Sequence, residues 1–356
     1  MGKGRAASRK SRVYIFREWL MTTYGSYLSQ EMAMRQSDDC NGNKDTSVPT
    51  EPNQFSKNRK RKRSRPSPPM ILDVAGGKGD LSWLLKNVDG LESIVVDPWK
   101  PDPNTTSRNE RMVKSIEYLR QHPEEAQKRS VPFLPTYQPL AALLPRLLDE
   151  RNKRFGNNQD DPCRPEDFLT PKIFHIPLDK TLVQRIHNRI LQNSKKPKQS
   201  DENNNSDGGS TNSANRSRTD QEEMHEEEEI IDLLTSGRIK LIVGFHPDQA
   251  TEPCIDLARV LGIPYCVVPC CVFPSEFPDR RVRQAATPKD TEDTRDEETM
   301  VPVRTYQQFL DYLQAKARAP MSEITLDDEQ PRQMQTAYLD FPFTETAKNI
   351  VLYTLP

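Results

Sequence analysis

The stretch Met70-Ile-Leu-Asp-Val-Ala-Gly-Gly-Lys-Gly79 decides the fold. Its apolar first half, through Ala75, reads as a short buried strand. Gly76, Gly77 and Gly79 supply a tight turn, and Asp80–Val88 reads as a helix. Ser93-Ile-Val-Val-Asp97 is a second strand, stopped by Pro98. Strand, glycine turn, helix and strand in so short a span are the pattern of a parallel βαβ unit. A glycine turn at the carboxyl end of the first strand lets a ligand approach the backbone, and the following helix offers unpaired N–H groups to negative groups. Asp97, closing the second strand, is placed to accept hydrogen bonds from both hydroxyls of a ribose.

Upstream, Val13, Ile15, Phe16, Trp19, Leu20 and Tyr24 recur at helical spacing between Arg12 and Leu28, which predicts a helix packed on a sheet edge. Residues 1–10 are basic and read as loose, so 1–34 form an N-terminal helical segment. Residues 35–69 are polar and contain Lys57-Asn-Arg-Lys-Arg-Lys-Arg-Ser-Arg65; they read as a disordered basic insertion. Residues 70–356 then form one domain. Within it, 102–170 show weak helical patterns around Met112–Leu119 and Leu140–Leu148, Lys172–Ile176 suits a third strand, and Leu182–Leu191 a helix. Residues 194–225 read as a second disordered insertion and 284–299 as a polar loop. Ile239–Val243 and Tyr265–Val268 suit buried strands flanking a helix over Ala250–Leu261, Tyr306–Ala317 is helical, and Thr336–Phe341 with Asn349–Tyr353 suit two closing antiparallel strands.

Composition agrees with a core interrupted by polar insertions: 34% of the 356 residues are hydrophobic, 29% are charged, and 30 are prolines. The net charge of -1 gives no global attraction to a polyanion. Cys40, Cys163, Cys254, Cys266, Cys270 and Cys271 follow no secreted spacing, and no apolar run spans a bilayer, which together predict a soluble, reduced, intracellular protein with no membrane partner. The basic run 57–65 reads as a nuclear address or a nucleic-acid contact, so the cytoplasm and the nucleus both remain open, with acidic Glu222–Glu229 as its shield.

Two cofactors suit a glycine turn of this kind. A nicotinamide dinucleotide asks for G-x-G-x-x-G, but Gly77-Lys-Gly79 is followed by Asp80, Leu81 and Ser82, and the third glycine is missing. Asp73-x-Ala-x-Gly77-x-Gly79 instead resembles motif I of the class I S-adenosylmethionine-dependent methyltransferases, D/E-x-G-x-G-x-G, with Ala75 in place of the first glycine. The resemblance implies an α/β, Rossmann-like class I methyltransferase fold: a mostly parallel seven-stranded sheet with helices on both faces. It also implies bound S-adenosyl-L-methionine, with Asp73, Ala75, Gly76, Gly77 and Gly79 around its methionine part and Asp97 on its ribose.

A second constellation, Gly244-Phe-His246-Pro-Asp248-Gln-Ala-Thr251, follows the fourth strand, and Pro269-Cys270-Cys271 follows the fifth. In a doubly wound sheet both open on the crevice where strand order reverses, and Gly244 is placed with the cofactor-contacting residues. His246, Ala250, Thr251, Cys270 and Cys271 resemble the tRNA acceptor-stem 2′-O-methyltransferase branch, although Pro247-Asp248-Gln249 replaces its usual Cys-Gly stretch. That likeness implies an RNA acceptor, tRNA or rRNA. His246 and Asp248 are then candidate bases for a hydroxyl proton. Other roles fit the same residues: a buried histidine, a capping Asp248, and cysteines that pack as small hydrophobes. No metal site is expected, since zinc takes about four convergent ligands and no second Cys/His pair lies near the two cysteines. The Asn/Asp-Pro-Pro-Tyr/Phe device of exocyclic-amine methylation is absent after the fourth strand. A non-catalytic binding or scaffold protein is the main alternative, with a nicotinamide oxidoreductase disfavoured.

Overall fold

The computed structural model describes residues 3–40, 68–100, 102, 104–124, 137–156, 161–195, 218–284, 299–319, 332–341 and 348–356. The basic run 57–65 and most of the expected insertions lie outside them.

The sheet grows from the quoted stretch. Strand β1 (Met70–Val74) pairs in parallel with β2 (Glu92–Val96) on one side and β4 (Ile239–Phe245) on the other. Helix α2 (Asp80–Val88) makes the crossover between β1 and β2. Beyond β2 lies β3 (Lys172–Phe174), and beyond β4 lies β5 (Tyr265–Val268), both parallel. Strand β9 (Ile350–Thr354) pairs antiparallel with β5 and with the edge strand β8 (Met334–Tyr338). The resulting seven-stranded sheet has the order β3-β2-β1-β4-β5-β9-β8. A Rossmann-like α/β fold is therefore present, with the expected closing antiparallel pair. Among the described residues, no helix is long and apolar enough to cross a membrane.

Alternating side chains of each central strand feed opposite faces. On one face Leu72, Val74, Ile242 and Val267 meet α5 (Lys180–Lys195), α6 (Arg218–Thr235), α7 (Thr251–Leu261) and α8 (Tyr306–Arg318). On the other, Ile71, Leu241, Val243, Cys266 and Val268 meet α1 (Lys3–Cys40) and α2. Behind α2, Trp83, Leu84 and Val88 pack with α3 (Arg108–Gln121) and α4 (Tyr137–Phe155).

Several expectations need correction. Helix α1 covers the middle of a sheet face rather than an edge, because Phe16, Leu20, Tyr24 and Leu28 form a buried stripe with four-residue spacing. The Tyr24 hydroxyl fixes its docking by donating to the carbonyls of Tyr265 (3.1 Å) and Thr354 (2.9 Å). Its helical backbone also takes in residues 3–10, read as loose, and 35–40, assigned to the insertion. Residues 194–195 and 218–225 are likewise helical, in α5 and α6. The basic run 57–65 that the acidic run was expected to shield lies outside the described residues. The acidic run lies on α6 and clamps α5: Arg189 reaches Glu228 at 2.6 Å and Asp232 at 2.7 Å, and Arg185 reaches Glu228 at 2.8 Å. Glu226 accepts the His175 N–H at 2.6 Å. The polar loop 284–299 is flanked by a missed hairpin, β6 (Arg281–Gln284) with β7 (Thr299–Pro302).

Glu252, 1% exposed on α7, ties one face together. It accepts from Lys316 Nζ (2.7 Å), the Tyr312 hydroxyl (2.9 Å) and Arg280 Nε (3.0 Å). Burial alone raises this carboxyl, but Lys316, Lys180 and Tyr312 more than offset it and bring it to about 2. The folded value lies below the ordinary 4.5, so this stabilisation is complete above that pH and is lost as pH falls towards 2. Urea unfolding should show Glu252→Ala less stable by about 3–5 kcal/mol at neutral pH, since it strands buried cations, with the gap narrowing on acidification.

Candidate functional site

The carboxyl ends of β1 and β4 lie side by side, Val74 opposite Gly244, at the point where strand order reverses. Such a switch point is where open α/β sheets bind ligands. The loop after β1 turns back at Gly76–Gly79, and the helix it starts has no side-chain cap, so first-turn N–H groups stay available.

Each turn residue has a readable task. Gly76 lies over Asp73, where a Cβ would sit 2.7 Å from the carboxyl group. Gly79, at φ 70°, is the N-cap of α2, and a Cβ there would press on Pro171 and Val95. Gly77, at φ 54°, has open space where its Cβ would be, so that side of the turn can receive a ligand. Ala75 holds φ 52°, a left-handed conformation that a Cβ makes costly.

Two buried acids stand at this mouth. Asp97 accepts the Gly77 N–H at Oδ2 and the Trp99 N–H at Oδ1, each at 2.7 Å. A carboxylate has about four lone-pair positions, so capacity remains for ribose hydroxyls. Asp73, wholly buried, accepts from the Ser82 hydroxyl at 2.9 Å through Oδ2, while Oδ1 has no hydrogen-bond partner in the protein. Burial raises its carboxyl to about 7 against the lowering effect of Ser82.

On the β4 side, His246 (φ 57°) and Asp248 (φ 47°) are also left-handed, as is Phe273 (φ 50°) past β5. With Ala75 these are the non-glycine residues of positive φ among the described residues, and all follow the carboxyl ends of β1, β4 and β5. Strain of this kind, about 1–3 kcal/mol per residue, gathers at functional sites. His246 is mostly buried, and neither ring nitrogen has a hydrogen-bond partner in the protein. Burial, with the charge of Arg12, lowers its imidazole to about 4 despite Asp248. It is therefore neutral at physiological pH. Asp248 does not cap α7, which has no side-chain cap; its exposed carboxylate accepts the Cys270 thiol at 2.8 Å. Gly244 has an internal reason to be glycine: a Cβ there would meet Pro247 at 2.9 Å and Val267 at 3.2 Å.

Sequence reading missed Trp99 and the meeting of Asp248 with both cysteines. Trp99 is 39% exposed beside Asp97, with Lys78 Nζ 5.3 Å from its ring centroid and its carbonyl 2.8 Å from His175 Nδ1. An exposed aromatic two residues beyond the acid was the available signal, since such a ring can stack a flat base. An open depression of about 440 Å³ lies at the opposite end of β1 and β2, among Met70, Lys86, Glu92 and Lys172, away from this chemistry.

Comparison with known proteins adds no relative: no family model matches the chain, and neither a curated protein nor a solved structure matches it significantly.

Two substitutions test the strain and the buried acid. Ala75→Gly should raise stability by about 0.5–1 kcal/mol, the relief of the left-handed Cβ outweighing the added chain entropy, as a higher urea midpoint. Asp73 has its folded value near 7, above the ordinary 3.8, so the folded state holds the extra proton and Asp73's contribution to stability falls as pH rises from 3.8 to 7. Asp73→Asn should therefore gain stability relative to the natural chain across that window, measured as the difference between the two unfolding profiles.

Proposed function

We propose that this chain is a methyltransferase that binds S-adenosylmethionine between the β1 and β4 loops. The carrying observation is the convergence of Asp73, Asp97, the open side of Gly77 and the strained residues Ala75, His246 and Asp248 on one switch point. The residues present suit the cofactor. Asp97 would take the ribose, and Trp99 offers a face for the adenine. The missing third glycine and the reversed strand β9 speak against a nicotinamide cofactor.

The sulfonium supplies an activated methyl group and a neutral leaving group. What remains for the chain is alignment of the acceptor and removal of its proton. His246, neutral and without a protein partner at either nitrogen, is the better proton acceptor, because Asp248 is engaged by Cys270. An RNA hydroxyl is the acceptor class favoured by the resemblance of the β4 and β5 loops. The low basicity of His246 favours one second reading, a cofactor-holding scaffold without turnover.

Calorimetric titration with S-adenosylmethionine, S-adenosylhomocysteine and NAD tests the cofactor. The first two should bind, and Asp97→Ala should weaken them by about 10–100-fold, the worth of hydrogen bonds to a charged group. A folded chain that binds neither overturns the proposal. His246→Ala should keep binding and lose about 100-fold or more in methyl transfer to RNA; binding without turnover in the natural chain selects the scaffold.

A further inference from the structure

The loops after β4 and β5 bring three metal-ligating side chains together. Asp248, Cys270 and Cys271 each offer one ligand atom, and these atoms lie within 4.8 Å of one another. We propose that they form a binding site for a thiophilic divalent cation, of which Zn²⁺ is the type, with one coordination position open to solvent. The proposal does not rest on the methyltransferase reading, because it concerns the chain without any cofactor.

The geometry is close to what such an ion needs. Zinc bonds of about 2.0–2.3 Å in a tetrahedron hold ligand atoms roughly 3.3–3.8 Å apart. The three ligand atoms lie within 4.8 Å of one another, and Cys270 Sγ donates to Asp248 Oδ1 at 2.8 Å, a contact that opens slightly when a metal replaces the thiol proton. Two sulfurs favour a soft or borderline ion over magnesium or calcium. Three protein ligands and a free fourth position are the arrangement of reactive zinc sites, not of closed structural ones.

The site is also held in place. Asp248 keeps its left-handed backbone while the Thr251 hydroxyl donates to its carbonyl at 2.8 Å. The Tyr306 hydroxyl donates to Pro269 O at 3.1 Å and Arg280 Nη1 to Val272 O at 3.0 Å, pinning the cysteine loop on both sides. Because that loop is not a strand, the adjacent cysteines are not forced to opposite faces. Asp248 and Cys271 are exposed and Cys270 is half-buried, so an ion can enter. Each metal–sulfur bond that forms takes the place of a thiol proton, so binding releases two protons. The remaining described cysteines, Cys163, Cys254 and Cys266, are buried and do not compete.

The test uses the full chain carrying Cys40→Ser, reduced and stripped of metal, titrated with Co²⁺ and then Zn²⁺. The expected result is a single equivalent of Co²⁺ with thiolate-to-metal charge-transfer absorption and the visible bands of four-coordination, displaced by Zn²⁺. Cys271→Ser should remove about half of the charge-transfer intensity. Asp248→Asn should keep both thiolate bonds but weaken affinity by at least about 10-fold, a loss that even outer-shell partners produce. Both substitutions are at exposed positions, and circular dichroism confirms folding. Co²⁺ uptake without thiolate absorption, uptake unchanged in Cys271→Ser, or no uptake by the folded chain overturns the site.

Discussion

Strands β1 and β4 lie side by side, yet the chain leaves them towards opposite edges of the sheet. That single topological constraint creates the site. The loop after β1 leads to α2 on one face, and the loop after β4 leads to α7 on the other, so a gap opens between them. The gap is only as rigid as the strands beneath it. Their rigidity comes from burial on both faces, by α1 and α2 on one side and α5 to α8 on the other.

Charge is handled differently at the rim and at the mouth. Away from the site, buried or half-buried ions are matched: Arg151 with Asp167 at 2.9 Å, Arg17 with Asp89, and Glu252 with its three donors. At the mouth the matching stops. Asp73 keeps an unpaired oxygen, His246 has two unpaired nitrogens, and three loops hold left-handed residues that bear a Cβ. Unpaired buried atoms occur elsewhere too, among them Asn152 Oδ1 and His187 Nε2, but at the mouth they coincide with left-handed residues that bear a Cβ, the kind of strain that gathers at functional sites.

The parallel strands were legible in the sequence because burial on both faces makes them continuous apolar runs. Val243 and Cys266 are neighbours in the sheet, each within a run recognised from composition alone. The glycine turn and Asp97 were legible because turn and acid occupy fixed positions relative to strand ends. The hairpin β6–β7 was not: only Val282, Met300 and Val301 mark it as apolar, and its strands are separated by 285–298. The partnership of Asp248 with Cys270 was equally invisible. The residues are 22 positions apart, and they meet because two loops adopt backbone conformations that no hydrophobic period encodes. Burial stripes also misplaced α1, since a stripe reports that a helix has a covered side, not which part of the sheet covers it.

Tyr24 closes the molecule in a way that bears on its assembly. Its hydroxyl joins α1 to the carbonyl of Thr354, a residue 330 positions later. During synthesis the apolar stripe of α1 emerges before any strand it packs on and finds its full bed only after β9 has taken its place between β5 and β8. The nascent chain must therefore keep that stripe from other surfaces until then. Long-range closure of this kind slows folding and makes the early helix a natural client for chaperones.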